Sequence, residues 1–409
     1  MQTGRAPALS RSIEEIRADF PGLLAGEVRL DGAAGTLVPT AVIDAVSDAL
    51  RRSMANLHGE FAASEHSTET VGSARRAIAD LLGGDPDGVV LGPNMTTLTF
   101  HLAGALSADW KPGDEIVVTS LDHDANVRPW VLAAGRAGAT VRWAEFDTDT
   151  GELAAGAFDG LIGNRTRLVA LTAASNAIGT KPDVRAISDC AHAAGALTYV
   201  DGVHATSHGP IDVAALGADF YVCSTYKLFG PHVGALIADP DRLQQLRPAK
   251  LAPSPNEVPD RFERGTPALE LLAGVTAAVD WIAGLTDLPG TRRERLVAAL
   301  TAVEHYLDGL LDQAIDGLAR VNGVRMLGAP RRRTSTISFV LDGHHPSEIA
   351  RRLADQGIAV WAGDNYAYEL MRRFGLGDSG GAIRASIVLY NHRGDIERLL
   401  EAVVEIAKA

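Results

Sequence analysis

Ser224-Thr225-Tyr226-Lys227-Leu228-Phe229-Gly230-Pro231-His232 follows an apolar run, Phe220-Tyr221-Val222-Cys223, and places an amine where that run ends. Upstream, a second apolar run over residues 196–200 ends in Asp201-Gly202-Val203-His204. Short continuous apolar runs of this kind read as strands buried on both faces. A carboxylate at one strand end and a lysine at another are what pyridoxal 5'-phosphate (PLP) requires: an acid to keep the pyridine nitrogen protonated and an amine to hold the aldehyde as a Schiff base. Taken alone, the same two residues also read as ordinary solvated strand-end charges.

Working outward, seven strand-like runs lie at residues 89–92, 115–120, 141–146, 167–175, 196–201, 219–224 and 233–238. Most are near-continuous Val, Ile, Leu and Ala, and helical stretches at 97–107, 125–137 and 184–194 fall between them. This alternation predicts an α/β fold with a mainly parallel sheet wrapped by helices. The turn Gly230-Pro231 leaves no room for a crossover helix, so the last two strands should pair antiparallel. Helices are predicted at 273–282 and 291–315, the second long enough to connect two lobes. A smaller α+β unit follows, with strands at 334–341, 358–361 and 383–389 and helices at 346–356 and 395–408. Residues 251–265, rich in proline and charge, read as a long functional loop. There is no internal repeat or low-complexity tract.

The 409 residues suit a large domain with a smaller partner. With 38 basic and 51 acidic residues the net charge is −13, which disfavours nucleic acid or an anionic membrane as partner. The two cysteines are far apart and give no disulfide framework, as expected in a reducing compartment. No apolar signal core is visible at the start, and no run approaches the roughly 18 apolar residues that span a bilayer, so a cytoplasmic location is expected. Asn94-Met95-Thr96 and Asn164-Arg165-Thr166 match the glycosylation pattern, which carries no meaning there.

Asn94-Met95-Thr96-Thr97 leads from the first sheet strand into a helix. Free amides, the helix dipole and two hydroxyls make this turn an anion site, although N-capping alone also accounts for it. His123 lies in Ser120-Leu121-Asp122-His123-Asp124-Ala125-Asn126. Asp-His-Asp could suggest a metal, but no second cluster at ligand spacing supports one, and none is expected.

Taken in order, these segments resemble the class V aminotransferase family of fold-type I PLP enzymes, and within it the cysteine desulfurase-like branch. The resemblance covers about residues 30–395. It implies a fold-type I PLP-dependent transferase: a large PLP-binding domain (26–285) with a seven-stranded sheet, a small C-terminal α+β domain (286–409), and an N-terminal segment (1–25) packing with the small domain. Lys227 would carry PLP and shuttle protons, and Asp201 would face the ring nitrogen. His123 would stack on the pyridine, while Asn176 and His204 would lie near the phenolic oxygen, Asn176 also near the substrate carboxylate. The phosphate would be held by Thr96, Thr97 and Ser224, with Met95 standing where glycine is usual, and by Tyr226 where many relatives have histidine. Thr266, in Phe262-Glu263-Arg264-Gly265-Thr266-Pro267, matches a residue that crosses a dimer interface, implying a homodimer with the active site at the interface. Arg384-Ala385-Ser386 followed by Tyr390-Asn391 matches the family's substrate-anchoring pattern, and a guanidinium binds a carboxylate through two hydrogen bonds.

The chain departs from the desulfurases in one loop, Ala362-Gly363-Asp364-Asn365-Tyr366-Ala367-Tyr368-Glu369-Leu370, where Tyr366 stands at the position of the persulfide-forming cysteine. Cys190 and Cys223 fall elsewhere, in a helix and in a buried strand. The expected activity is therefore that of a PLP enzyme acting on an amino acid through an external aldimine, as a C–S lyase (β-elimination) without an enzyme persulfide. Transamination or epimerisation of an amino acid is the alternative, and a PLP-retaining, non-catalytic binding protein the alternative of another class. Tyr366 and Tyr368 with Trp361 either wall an apolar substrate pocket or pack the small domain.

Overall fold

The computed structural model describes residues 7–52 and 54–408. A two-residue strand, β1 (Val28–Arg29), precedes seven strands: β2 (Val89–Gly92), β3 (Glu115–Thr119), β4 (Thr140–Ala144), β5 (Thr166–Thr172), β6 (Leu197–Asp201), β7 (Phe220–Ser224) and β8 (Gly234–Ala238). Beyond them lie β9 (Val324–Met326), β10 (Thr336–Leu341), β11 (Ile358–Ala359), β12 (Trp361–Gly363) and β13 (Ala382–Ser386).

β2 to β8 form one sheet in the order β2-β8-β7-β6-β5-β3-β4. β8 runs antiparallel to both its neighbours, and the other pairs are parallel, as the short turn after Lys227 dictates. Successive residues of the apolar runs point to opposite faces. Val169, Val200, Tyr221 and Cys223 thus join the core under the helices Ala62–Leu82, Val184–Ala193 and Leu269–Ala283. Leu168, Tyr199, Phe220 and Val222 join a second core under Met95–Leu106 and Arg128–Ala137. This two-sided burial explains why the runs lack polar alternation.

The 27-residue helix Arg292–Leu318 starts with a Thr291/Glu294 capping box and leads to the small antiparallel sheet, ordered β12-β13-β10-β9. The expected single strand at 358–361 is in fact two. β11 pairs in parallel with β1, and β12 pairs with β13, because the residues on either side of Val360 meet different partners. The segment after β12 reads as loop in the sequence, but it contains the helix Tyr368–Arg373, whose six residues are too short to reveal a helical period. Residues 251–265 are irregular apart from one turn of 3-10 helix, Asp260–Phe262. In the N-terminal segment, Phe20 packs edge-on against both Trp281 (5.3 Å) and Tyr390 (5.1 Å), touching both lobes. Among the described residues, no helix is long and apolar enough to cross a membrane.

Candidate active site

Asp201 ends β6, and Lys227 closes a single 3-10 turn, Thr225–Lys227, after the adjacent β7. Both therefore lie at the carboxyl ends of neighbouring parallel strands, where open α/β sheets place their ligands. They line one cavity with Thr96, His123, Asn176, His204 and Tyr226. A wider cavity of about 480 Å³ continues from it, walled by Lys227, His123, Asn176, Trp361, Tyr366 and Arg384 among others.

Lys227 is buried, and desolvation together with the Arg384 charge pushes its amine from 10.5 down to about 8, with Asp201 only partly opposing. Asp201 accepts a hydrogen bond from the Val203 amide (2.9 Å), yet burial raises its carboxyl to about 6 despite the nearby lysine. His123 is held as neutral imidazole: burial, then Lys227 and Arg384, drive it down to about 3. Arg384, buried on β13, donates from Nη1 to the Asn176 carbonyl (3.2 Å). Burial lowers its guanidinium to about 10, which leaves it charged at neutral pH.

Two buried polar atoms here have no protein partner, Arg384 Nε and Asn176 Oδ1. Buried polar groups are normally satisfied, so a donor–acceptor pair left open beside a buried amine and carboxyl fits a ligand bearing its own polar groups. The residues present fit PLP with an amino acid beside it.

The remaining candidates sort by position. Ser224 Oγ accepts from the Met95 amide (2.9 Å), and Asn94 Oδ1 accepts from the Thr97 amide (2.9 Å). Those two amides, expected to be free for an anion, are therefore engaged by caps. Thr96 lines the inner cavity, whereas Thr97 and Thr266 line a separate cavity with His232. Tyr226 stacks flat on His232, with centroids 4.7 Å apart and planes 4° apart. His204 Nε2 is hydrogen-bonded to Thr334 and Thr336 of the small domain, both at 3.0 Å, and burial keeps the ring neutral. Tyr366 lies over His123 at the mouth.

Asp122 stands out in the sequence only as part of a metal-like pattern. It is fully buried, shares a hydrogen bond with Thr119 Oγ1 and accepts one from Asn126 Nδ2 (2.6 Å). Burial and the Asp201 charge raise its carboxyl to about 8 in spite of these bonds. The apolar residues around the Asp-His-Asp segment are the one sequence signal of that burial. Among the described residues, no group of His, Cys, Asp and Glu side chains is arranged to hold a metal ion.

The chain matches the family model of the class-V aminotransferases over residues 28–399. A probable cysteine desulfurase of Pseudomonas aeruginosa is 35% identical across 95% of this chain and 96% of its own. Among solved structures, a cysteine desulfurase from Escherichia coli in an S-sulfonic acid form aligns with a TM-score of 0.86 at 30% identity, covering 97% of this chain and 99% of that one. A cystine C–S lyase, solved with its reaction product cysteine persulfide, shares the fold at 22% identity (TM-score 0.78, covering 94% and 99%), and a variant of it carries glycine linked to its PLP cofactor. The cofactor of this protein is PLP, and the chain belongs to the class-V aminotransferase family of PLP-dependent enzymes.

Proposed function

We propose that this enzyme is a C–S lyase that acts on an amino acid by β-elimination and forms no persulfide on itself. One observation carries the reading: the buried amine of Lys227 feels the charges of both Asp201 and Arg384 and lines cavities that, among the described residues, no cysteine lines. Cys223 is enclosed in β7, and burial pushes its thiol up to about 12, while Cys190 sits on the exposed side of its helix. A thiol must ionise and reach the substrate sulfur to accept it.

When bound, PLP supplies the electron sink for charge developing at the substrate α-carbon. The chain's own groups do the rest. Arg384 anchors the substrate carboxylate, and the open Asn176 Oδ1 accepts a hydrogen bond beside it. Lys227, with an amine lowered to about 8, would take the α-proton and, as the ammonium so formed, pass a proton to the sulfur that leaves when its bond to the β-carbon breaks. Asp201 would keep the pyridine nitrogen protonated, neutral His123 would stack on the ring, and His204 would line the phenolic side. Thr96, Thr97, Ser224 and Tyr226 would receive the phosphate, with Thr266 supplied by a second copy in a homodimer. Transamination or epimerisation uses the same Lys227 and Arg384. Both readings place the substrate in the same cavity, walled by Lys227 and Arg384.

A screen of amino acids, with pyruvate, sulfide, keto-acid and enantiomer readouts, tests both readings. Sulfide and pyruvate in equal amounts, undiminished in Cys190→Ser/Cys223→Ser, is the expected result. A protein-bound persulfide formed during turnover and lost in either serine variant would overturn it.

A further inference from the structure

Asn365 and Tyr366 are consecutive non-glycine residues in the left-handed backbone region, at φ 54° and 55°. Side-chain-bearing residues seldom adopt it, and such conformations persist only where the surroundings enforce them. The enforcement is visible. Within the turn, the Tyr366 amide donates to Asp364 Oδ1 (2.9 Å) and Asn365 Nδ2 donates to the Gly363 carbonyl (3.1 Å).

Two further bonds dock the turn on the large domain. Asn176 Nδ2 donates to the Asn365 carbonyl (2.8 Å), and the amide of Asp124, the residue after His123, donates to the Tyr366 carbonyl (2.7 Å). The helix that follows is tied down as well, through Glu369 to Arg128 (3.3 Å) and Arg373 to the Phe146 carbonyl (2.7 Å).

The result is a tyrosine ring lying nearly parallel to the His123 imidazole, with centroids 5.4 Å apart and planes 12° apart, although the tyrosine is 73% exposed. Burial does not explain a ring so exposed; the docked turn does. We propose that Tyr366 is a positioning residue for His123, its ring setting the tilt of the imidazole against the cofactor. This rests on the reading that His123 faces the PLP ring. The position that carries a reactive thiol in desulfurases thus serves here as an aromatic brace.

The test uses PLP-loaded wild type, Tyr366→Phe, Tyr366→Ala, His123→Ala and the Tyr366→Ala/His123→Ala double variant, with visible-region circular dichroism of the bound cofactor as readout. Tyr366→Phe should match wild type, because the stacking face is kept. Tyr366→Ala should lose about half the signal or more, as should His123→Ala, and the double variant should lose no more than His123→Ala, since residues acting through one contact are not additive. Tyr366→Gly, which removes the ring and relieves the backbone, should behave as Tyr366→Ala with an unchanged thermal midpoint, separating the brace from any folding defect. A wild-type signal in Tyr366→Ala, or losses that simply add in the double variant, would overturn the proposal. A His123→Ala protein with an unaltered cofactor signal would instead overturn the reading that His123 faces PLP.

Discussion

Trp361 on β12 is the direct cross-strand partner of Arg384 on β13. Residues opposed in an antiparallel pair project from the same face with their Cβ atoms about 5 Å apart. The indole, half exposed and lining the wide cavity, therefore flanks the proposed carboxylate anchor. Trp361→Ala is expected to raise KM roughly 10-fold or more for amino acids with large apolar side chains while changing little for small ones. Steady-state kinetics over a side-chain series checks this; a uniform loss across the series would assign Trp361 to packing alone.

Covalent capture of PLP by the apo-protein should report the lysine directly. Only the neutral amine reacts, and Lys227 is lowered to about 8, so the capture rate should rise with pH and level off above about 8 rather than above 10. Burial and the Arg384 charge depress it, burial the more, so Arg384→Ala should move this profile to higher pH. Lys227→Ala should form no reducible adduct. Stopped-flow absorbance across pH is the measurement, and a profile that stays put in Arg384→Ala would refute the coupling.

Asp122 offers a stability test with a definite sign. Its folded carboxyl is raised from 3.8 to about 8, so the folded state binds more protons than the unfolded chain across that window. The stabilisation is complete below about 4 and is lost as pH rises through 8. Asp122→Asn, similar in shape to the neutral acid, should flatten this decline, gaining on wild type between pH 5 and 8. Asp122→Ala should flatten the decline in the same way but lie about 1–3 kcal/mol below Asp122→Asn, because Asn126 loses a buried partner. Thermal melts of the apo-protein across pH would settle both.

Thr266 and Thr97 share a cavity separate from that of Lys227 within one chain. If a second copy brings Thr266 to the phosphate, light scattering should give about twice the 43.0 kDa chain mass. Thr266→Ala should then release PLP about 10-fold faster, the loss of one hydrogen bond to a charged group. A PLP-loaded monomer with unimpaired turnover would exclude that arrangement.

The apolar runs ending in Asp201 and Lys227, the seven strands and the antiparallel turn at Gly230-Pro231 are legible in the amino-acid sequence by itself, because strand burial and turn geometry depend on nearby residues. Four other features are decided by tertiary packing: the two hydrogen bonds between His204 Nε2 and the Thr334 and Thr336 hydroxyls, the burial that keeps Asp122 protonated, the caps on the Met95 and Thr97 amides, and the Tyr366–His123 stack. His204 and Tyr366 meet groups far along the chain, and a carboxyl's protonation depends on the dielectric around it, which no local pattern of residues encodes.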